Sequence, residues 1–568
     1  MPDNRICRRR ILSEEYRDFI VSSRRIPPDI SVPEEQLCRQ TTEAGYDVVY
    51  VEQSQAEPLE FGRFTYGSVP RCYALLDMAA MEQAGVTAVQ NYPTLELMGE
   101  QVMIGFVDTG IDYTHPAFRN LDGSTRIEGL WDQTQQDGDP PEGLSYGTGY
   151  SREEIDRALA SGDPYAVVPS RDEDGHGTYI ASLAAGGAGE EEQFLGAAPE
   201  AVIAAVRLKG AKQYLREFYC IAPDAVCFQE NDIMLGIRYL ADLARKRDLP
   251  LVLCIALGSS LGGHNGTTPL SLTLEYYASS VNRGVVTGTG NEAAARHHYR
   301  GVLQDEEDRA EAEIRVGEHV QGFVAELWTD IPNILAVSLT SPSGEVVPRI
   351  PIVLDRSSQQ QFVFEGTRVT VAYRLLVERN DSQLVFFRFT DPAPGLWKIT
   401  VEPVQLAEGE FHIWLPVEEF LSGEVYFLRP DPDVTLTSPS AVRSAITAAF
   451  YNGAENSVAI HSGRGYTRNE IKKPDLAAPG VNVKGARPGG GYVVRSGSSA
   501  AVAVTAGAAA LLMEWILGYT GSRGVDTLQL KNLLILGARK RPEDAYPNRE
   551  WGYGMLDLYR TLERLRQI

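Results

Sequence analysis

Three short segments of the chain carry side chains suited to nucleophilic acyl chemistry. Asp108 closes the apolar run QVMIGFVDTG, His176 stands between glycines in DGHGT, and a serine pair, Ser498 and Ser499, opens SGSSAAVAVTAGAAALL. A serine hydroxyl attacks a carbonyl well only when a base takes its proton. Histidine is the usual base, and a carboxylate behind it fixes the tautomer. A fourth segment, GVVTGTGNEA, ends a β-rich run on Asn291, whose side-chain amide could donate to a developing oxyanion. Each has a plainer reading when taken alone. A strand-ending Asp is often a helix cap, GSS is a common N-cap, Asn forms turns, and a lone His is usually structural. Residue type does not choose between the two serines; the register of the helix behind them must.

The elements that would position these groups alternate in kind. QVMIGFVDTG, AVIAAVRLK, LPLVLCIALGSS and GVVTGTGN read as short strands, while NDIMLGIRYLADLARK and LTLEYYASSVNRG show the 3.6-residue apolar period of helices. Strand–helix alternation predicts an α/β domain, a parallel sheet with helices on both faces, over 79–300 and again over 436–568. In such sheets the carboxyl ends of the strands carry the chemistry, where Asp108 lies. Between the two halves the texture is all-β. EAEIRV, QGFVAELW, NILAVSLTSP, RVTVAYRLLV, QLVFFRFT, LWKITVEPV and EFHIWLP, separated by turn clusters, predict an inserted sandwich or jelly roll over 301–435. Residues 1–78 read as a small α+β unit.

Composition narrows the classes. The 568 residues need several domains, and 43% hydrophobic with 23% charged residues is a globular balance. A formal charge of −23 argues against nucleic acid or an anionic membrane as the main partner. The basic N-terminus, MPDNRICRRR, has no apolar stretch behind it, so no signal peptide is recognised and export by a Sec or twin-arginine route is not expected. The longest apolar run, Ala500 to Leu517, contains Thr505, Gly507 and Glu514 and is read as a buried core helix, not a membrane span. The six cysteines show no zinc or disulfide-framework spacing. Free thiols are expected, with Cys254 in the core and Cys220–Cys227 the alternative pairing.

In the order Asp, His, Asn, Ser, and with KPDLAAPGVNV, LGAAPEAVIAAVRL and EWGYGMLDLY between and after them, these segments resemble the subtilisin (subtilase) family of serine peptidases. The resemblance implies Asp108, His176 and Ser499 as the triad and Asn291 as oxyanion donor. It implies that Gly258, after CIAL, lies on the strand that pairs with extended substrate. Ser499 is preferred to Ser498 because the family places an alanine two residues after its nucleophile, here Ala501. A proline common four residues after it is replaced by Ala503. Family members are commonly made with a prodomain that the enzyme cuts and that can remain bound as inhibitor. That implies 1–78 as prodomain, with a junction between Tyr73 and Met81, and protein or peptide as substrate. No cofactor is implied beyond optional structural calcium, for which no loop here shows a motif. The inserted β-domain with an unexported N-terminus is most similar to the clostridial germination-protease (Csp-type) subgroup, in which such peptidases activate a proenzyme, and this resemblance implies a cytoplasmic or spore-associated location. The insertion itself is expected to brace the fold, since nothing in its sequence marks a ligand site.

Overall fold

The computed structural model describes residues 4–22, 37–42, 44–60, 63–75, 82–91, 97–187, 194–353, 356–377 and 379–566. At its centre is a nine-stranded sheet. From one edge the strands run Ser457–Val458, Ile446–Asn452, Arg283–Gly288, Leu251–Ile255, Met103–Asp108, Val202–Arg207, Ile127–Asp132 and Thr148–Ser151, with Leu476–Pro479 also paired to Ile446–Asn452. All the inner pairings are parallel, and the antiparallel contacts are confined to Ser457–Val458 and Thr148–Ser151.

From Met103–Asp108 the chain first builds outward on one side, then returns to add Leu251–Ile255 and its followers on the other. The order therefore reverses between Met103–Asp108 and Leu251–Ile255, which opens a crevice beyond their carboxyl ends. Fully buried strands such as MIGFVD and LVLCI need apolar cover on both faces, and helices supply it. Helices Glu230–Lys246 and Pro269–Ala278 cover one face; His176–Ala185 and Ser498–Tyr519 cover the other.

Helix Ser498–Tyr519 is, among the described residues, the one long and apolar enough to cross a membrane, and 83% of its apolar window is buried within the protein. Its small residues let it thread against the sheet and the His176 helix. Gly507 is a point of close approach, where a Cβ would stand 2.4 Å from the Ala197 Cβ. This is the α/β arrangement, a parallel sheet with helices on both faces, that the strand–helix alternation predicts.

Two antiparallel sheets share a separate core built around Phe323, Phe387, Phe389 and Trp397. One has six strands: His298–Val302, Glu410–Trp414, Gly322–Asp330, Ser382–Thr390, Arg368–Arg374 and Ser357–Gln361. The other has five: Val346–Val347, Ile334–Thr340, Gly395–Gln405, Ala310–Val316 and Val425–Phe427. Near the N-terminus, helix Asn4–Leu12 packs on a three-stranded antiparallel sheet of Tyr16–Ser22, Tyr46–Glu52 and Cys38–Thr41.

One cysteine expectation is corrected here. Cys7 on that helix and Cys38 on its sheet form a disulfide, their Cα atoms 5.3 Å apart. The two lie 31 residues apart in sequence, and the tertiary fold rather than the spacing brings them together. Cys220 and Cys227 do not pair, whereas Cys254 is a buried core residue as expected.

Candidate active site

The loop after Met103–Asp108, the N-terminus of His176–Ala185 and the N-terminus of Ser498–Tyr519 converge at the crevice. His176 Nδ1 lies 2.8 Å from Asp108 Oδ1, and its Nε2 lies 3.0 Å from Ser499 Oγ. All three side chains are buried. A carboxylate only accepts, so Nδ1 carries the proton and Nε2 presents its lone pair to the serine hydroxyl. Asp108 Oδ1 is also held by the Thr109 N–H at 2.8 Å.

The two serines have different partners. Ser498 Oγ accepts from the Gly290 N–H at 3.2 Å, turning that hydroxyl toward the Asn291 turn. The Ser498 N–H in turn donates to Asn291 Oδ1 at 3.1 Å. This engages the carbonyl end of the Asn291 amide and leaves its NH₂ as the end able to donate. Gly290 makes the turn possible: its φ is +82°, and a Cβ there would lie 2.5 Å from the Thr437 side chain. Ser499 is the second residue of its helix, so its N–H has no intrahelical acceptor and faces the positive end of the helix dipole.

A carboxylate that residue type alone did not single out holds the histidine turn. Asp172 accepts from Gly175 N at 2.9 Å, from Thr178 N at 2.8 Å and from Thr178 Oγ1 at 2.6 Å. Thr178 Oγ1 also accepts from Asp112 N, and Gly177 N donates to Thr109 Oγ1, each at 2.8 Å. These bonds clamp the start of the His176 helix onto the loop that carries Asp108. Beside it, burial and the Asp108 charge push the Cys254 thiol well up, so it stays a neutral core group.

Gly258 belongs to a short strand, Leu257–Gly258, at the cleft edge. Its antiparallel partner is the chain's own segment Cys72–Leu75, in register Leu257↔Leu75 and Gly258↔Ala74. The far side of that segment pairs with Phe228–Gln229. Arg71, just upstream, makes a fully buried ion pair with Glu230, 2.8 Å from Nη1 to Oε2. Asp18, from the N-terminal sheet, is likewise buried against Lys212, Gln229 and Asn231. Of the segment between Tyr73 and Met81, residues 76–81 lie outside the described residues. Among the described residues no group of three or more His, Cys, Asp or Glu is placed to hold a metal ion.

The model of the Subtilase family (peptidase S8) matches residues 99–349 and 428–554, more than half of the chain. The chain belongs to the subtilase family. Among solved structures, the CspB protease of Clostridium perfringens is similar over 86% of this chain and 99% of that one, at 29% identity and a TM-score of 0.76. Among curated proteins, the subtilisin-like protease SBT2.2 of Arabidopsis thaliana is 37% identical over 106 residues. SBT2.4 of the same plant is 36% identical over 101 residues. These matches span 12% of each plant protein's own length, so they bear on the family and not on those proteins' substrates.

Proposed function

We propose that the chain is a serine endopeptidase that forms an acyl-enzyme on Ser499. His176 takes the serine proton through Nε2 and then gives it to the leaving amine, while Asp108 holds the imidazole tautomer and stabilises the imidazolium. The Asn291 amide and the Ser499 N–H bind the oxyanion. The observation that carries this reading is the unbroken hydrogen-bond line from Asp108 through His176 to Ser499, at 2.8 and 3.0 Å.

Residues 1–78 act in this reading as a prodomain that the enzyme cuts between Tyr73 and Met81 and keeps as a bound inhibitor. The pairing of Cys72–Leu75 with Leu257–Gly258 supports it, because an extended strand laid on Gly258 is how a substrate backbone would be read. The buried Arg71–Glu230 and Asp18–Lys212 pairs favour retention after the cut. The domain limits are 1–78, 79–300, 301–435 and 436–568, and the β-domain of 301–435 serves as a brace. Its Glu326 accepts from Tyr66 OH at 2.7 Å and from the Gly262 N–H at 2.9 Å, tying prodomain and cleft loop to the insertion. The similarity to the CspB protease, together with the inserted β-domain, favours activation of a proenzyme in spore germination as the physiological role.

Intact mass of the purified chain tests the reading. Wild type is expected as two fragments cut between residues 73 and 81, and Ser499→Ala as one. An uncut wild type would favour a second reading, a regulatory protein locked by its own prodomain, for which the same buried pairs speak.

A further inference from the structure

The segment in the cleft brings a buried cysteine to another across the boundary between prodomain and catalytic domain. Cys72 pairs with Gln229 in the strand register, and Cys227 lies two residues before Gln229, on the same face. Both side chains are buried in the same apolar cluster. Arg216 sits against Cys227, with Nη1 3.0 Å from Sγ, and its other nitrogen is fixed by the carbonyls of Ala222, Pro223 and Ala225. The pair is asymmetric. The neighbouring Cys72 thiol and the Arg216 charge lower the Cys227 pKa, while burial raises that of Cys72. Neither residue belongs to the triad or the oxyanion site.

We propose that Cys72 and Cys227 are a redox latch, a dithiol that closes to a disulfide and ties the prodomain strand covalently to the wall of the cleft. The proposal rests on the reading of residues 1–78 as a prodomain. The oxidant is a low-molecular-weight disulfide. When the strand lifts, the Cys227 thiolate attacks one sulfur of that disulfide, forming a mixed disulfide and expelling a thiolate. Cys72 then loses its proton and attacks Cys227 Sγ, expelling the second thiolate. Both protons end on the released thiols, so one external disulfide is reduced to two thiols for each protein disulfide formed. The two residues are already diagonal neighbours across the strand pair, and a local shift of the lifting strand closes them to a bond of about 2.05 Å. Because the cut falls after Cys72, the latch holds the prodomain after cleavage as well as before it, and a thiol reductant releases it.

The test uses the full-length chain incubated with oxidised glutathione, then alkylated without reduction and mapped by peptide mass. The expected product is a Cys72–Cys227 cross-link two hydrogens lighter than the dithiol, absent in Cys227→Ser and present in Cys220→Ser and Cys254→Ser. On denaturing gels without reductant the cut chain should run as one band, and with reductant as two. The Cys7–Cys38 disulfide lies within the prodomain and contributes nothing to that difference. Fluorophosphonate labelling of Ser499 should be about tenfold or more slower in the oxidised chain, since a tether holds the strand at millimolar effective concentration. Full alkylation of Cys72 and Cys227 after oxidation, or a glutathione adduct left on Cys227, overturns the latch. Mapping reads the cross-link in cut and uncut chain alike. An uncut but cross-linked chain therefore refutes the peptidase reading alone, and a cut chain with both thiols free refutes the latch alone.

Discussion

Replacing Gly177 by alanine tests how finely the histidine is held. A Cβ at Gly177 would lie 2.1 Å from the Gly110 carbonyl oxygen and 3.1 Å from both the Gly110 carbon and nitrogen. All are backbone atoms of the loop that leaves Asp108, so no side chain can swing aside. A tolerated carbon–oxygen contact is about 3.3 Å, so loop and helix must part by about 1.2 Å. Gly177 follows His176 and bonds to Thr109, so the displacement falls on the His176–Asp108 pair. Stretched from 2.8 Å by that amount, the Nδ1···Oδ1 contact leaves hydrogen-bond range. A misplacement of about 1 Å costs on the order of 100-fold in rate, and overpacking of this kind about 1–3 kcal/mol in stability. The assay is the fluorophosphonate labelling rate of Ser499 beside urea unfolding, with Gly162→Ala as control, since nothing lies within 4 Å of a Cβ there. Gly177→Ala labelling at the wild-type rate with unchanged stability would refute the argument.

Three further outcomes follow from the same contacts. Asn291→Ala should slow acylation of Ser499 by about 10²–10³-fold, the order that loss of the oxyanion asparagine costs in subtilisin itself, with the fold intact by circular dichroism. Asp172→Ala strands three buried donors at about 1–3 kcal/mol each, so it should lower both the unfolding midpoint and the labelling rate, whereas Asp172→Asn should restore part of each. Burial, reinforced by Glu100, lifts Glu514 from 4.5 to about 7. The folded state then binds the extra proton, so stability falls as pH rises from about 4.5 to 7. Glu514→Gln should flatten that part of the urea-midpoint profile, and an unchanged slope would contradict the assignment.

Much of the site was legible because each of its groups ends a recognisable element. Asp108 closes a buried strand, His176 and Ser499 open apolar helices, and Asn291 follows a strand, so alternation alone brings all four to one edge of a parallel sheet. What the sequence could not distinguish were groups of the same type side by side. Three acids stand in RDEDGHG, and only the turn geometry selects Asp172 over Glu173 and Asp174 as the clamp. Two serines stand in GSSA, and only the fold pairs Ser499 with His176 Nε2 and Ser498 with the Gly290 N–H. Contacts between distant segments were not legible at all. Cys7 with Cys38, and Cys72 with Cys227, meet because helix, sheet and cleft strand fold onto one another, and the spacing of the residues contains no trace of it.

The central claim is that Ser499 is an activated nucleophile rather than a helix cap. The most direct measurement is fluorophosphonate labelling of the reduced wild-type chain, with the modified residue located by peptide mass and compared with His176→Ala. The account predicts a single adduct on Ser499, absent from Ser498 and reduced by several orders of magnitude without His176. An adduct on Ser498, or labelling of Ser499 unaffected by loss of His176, would contradict it.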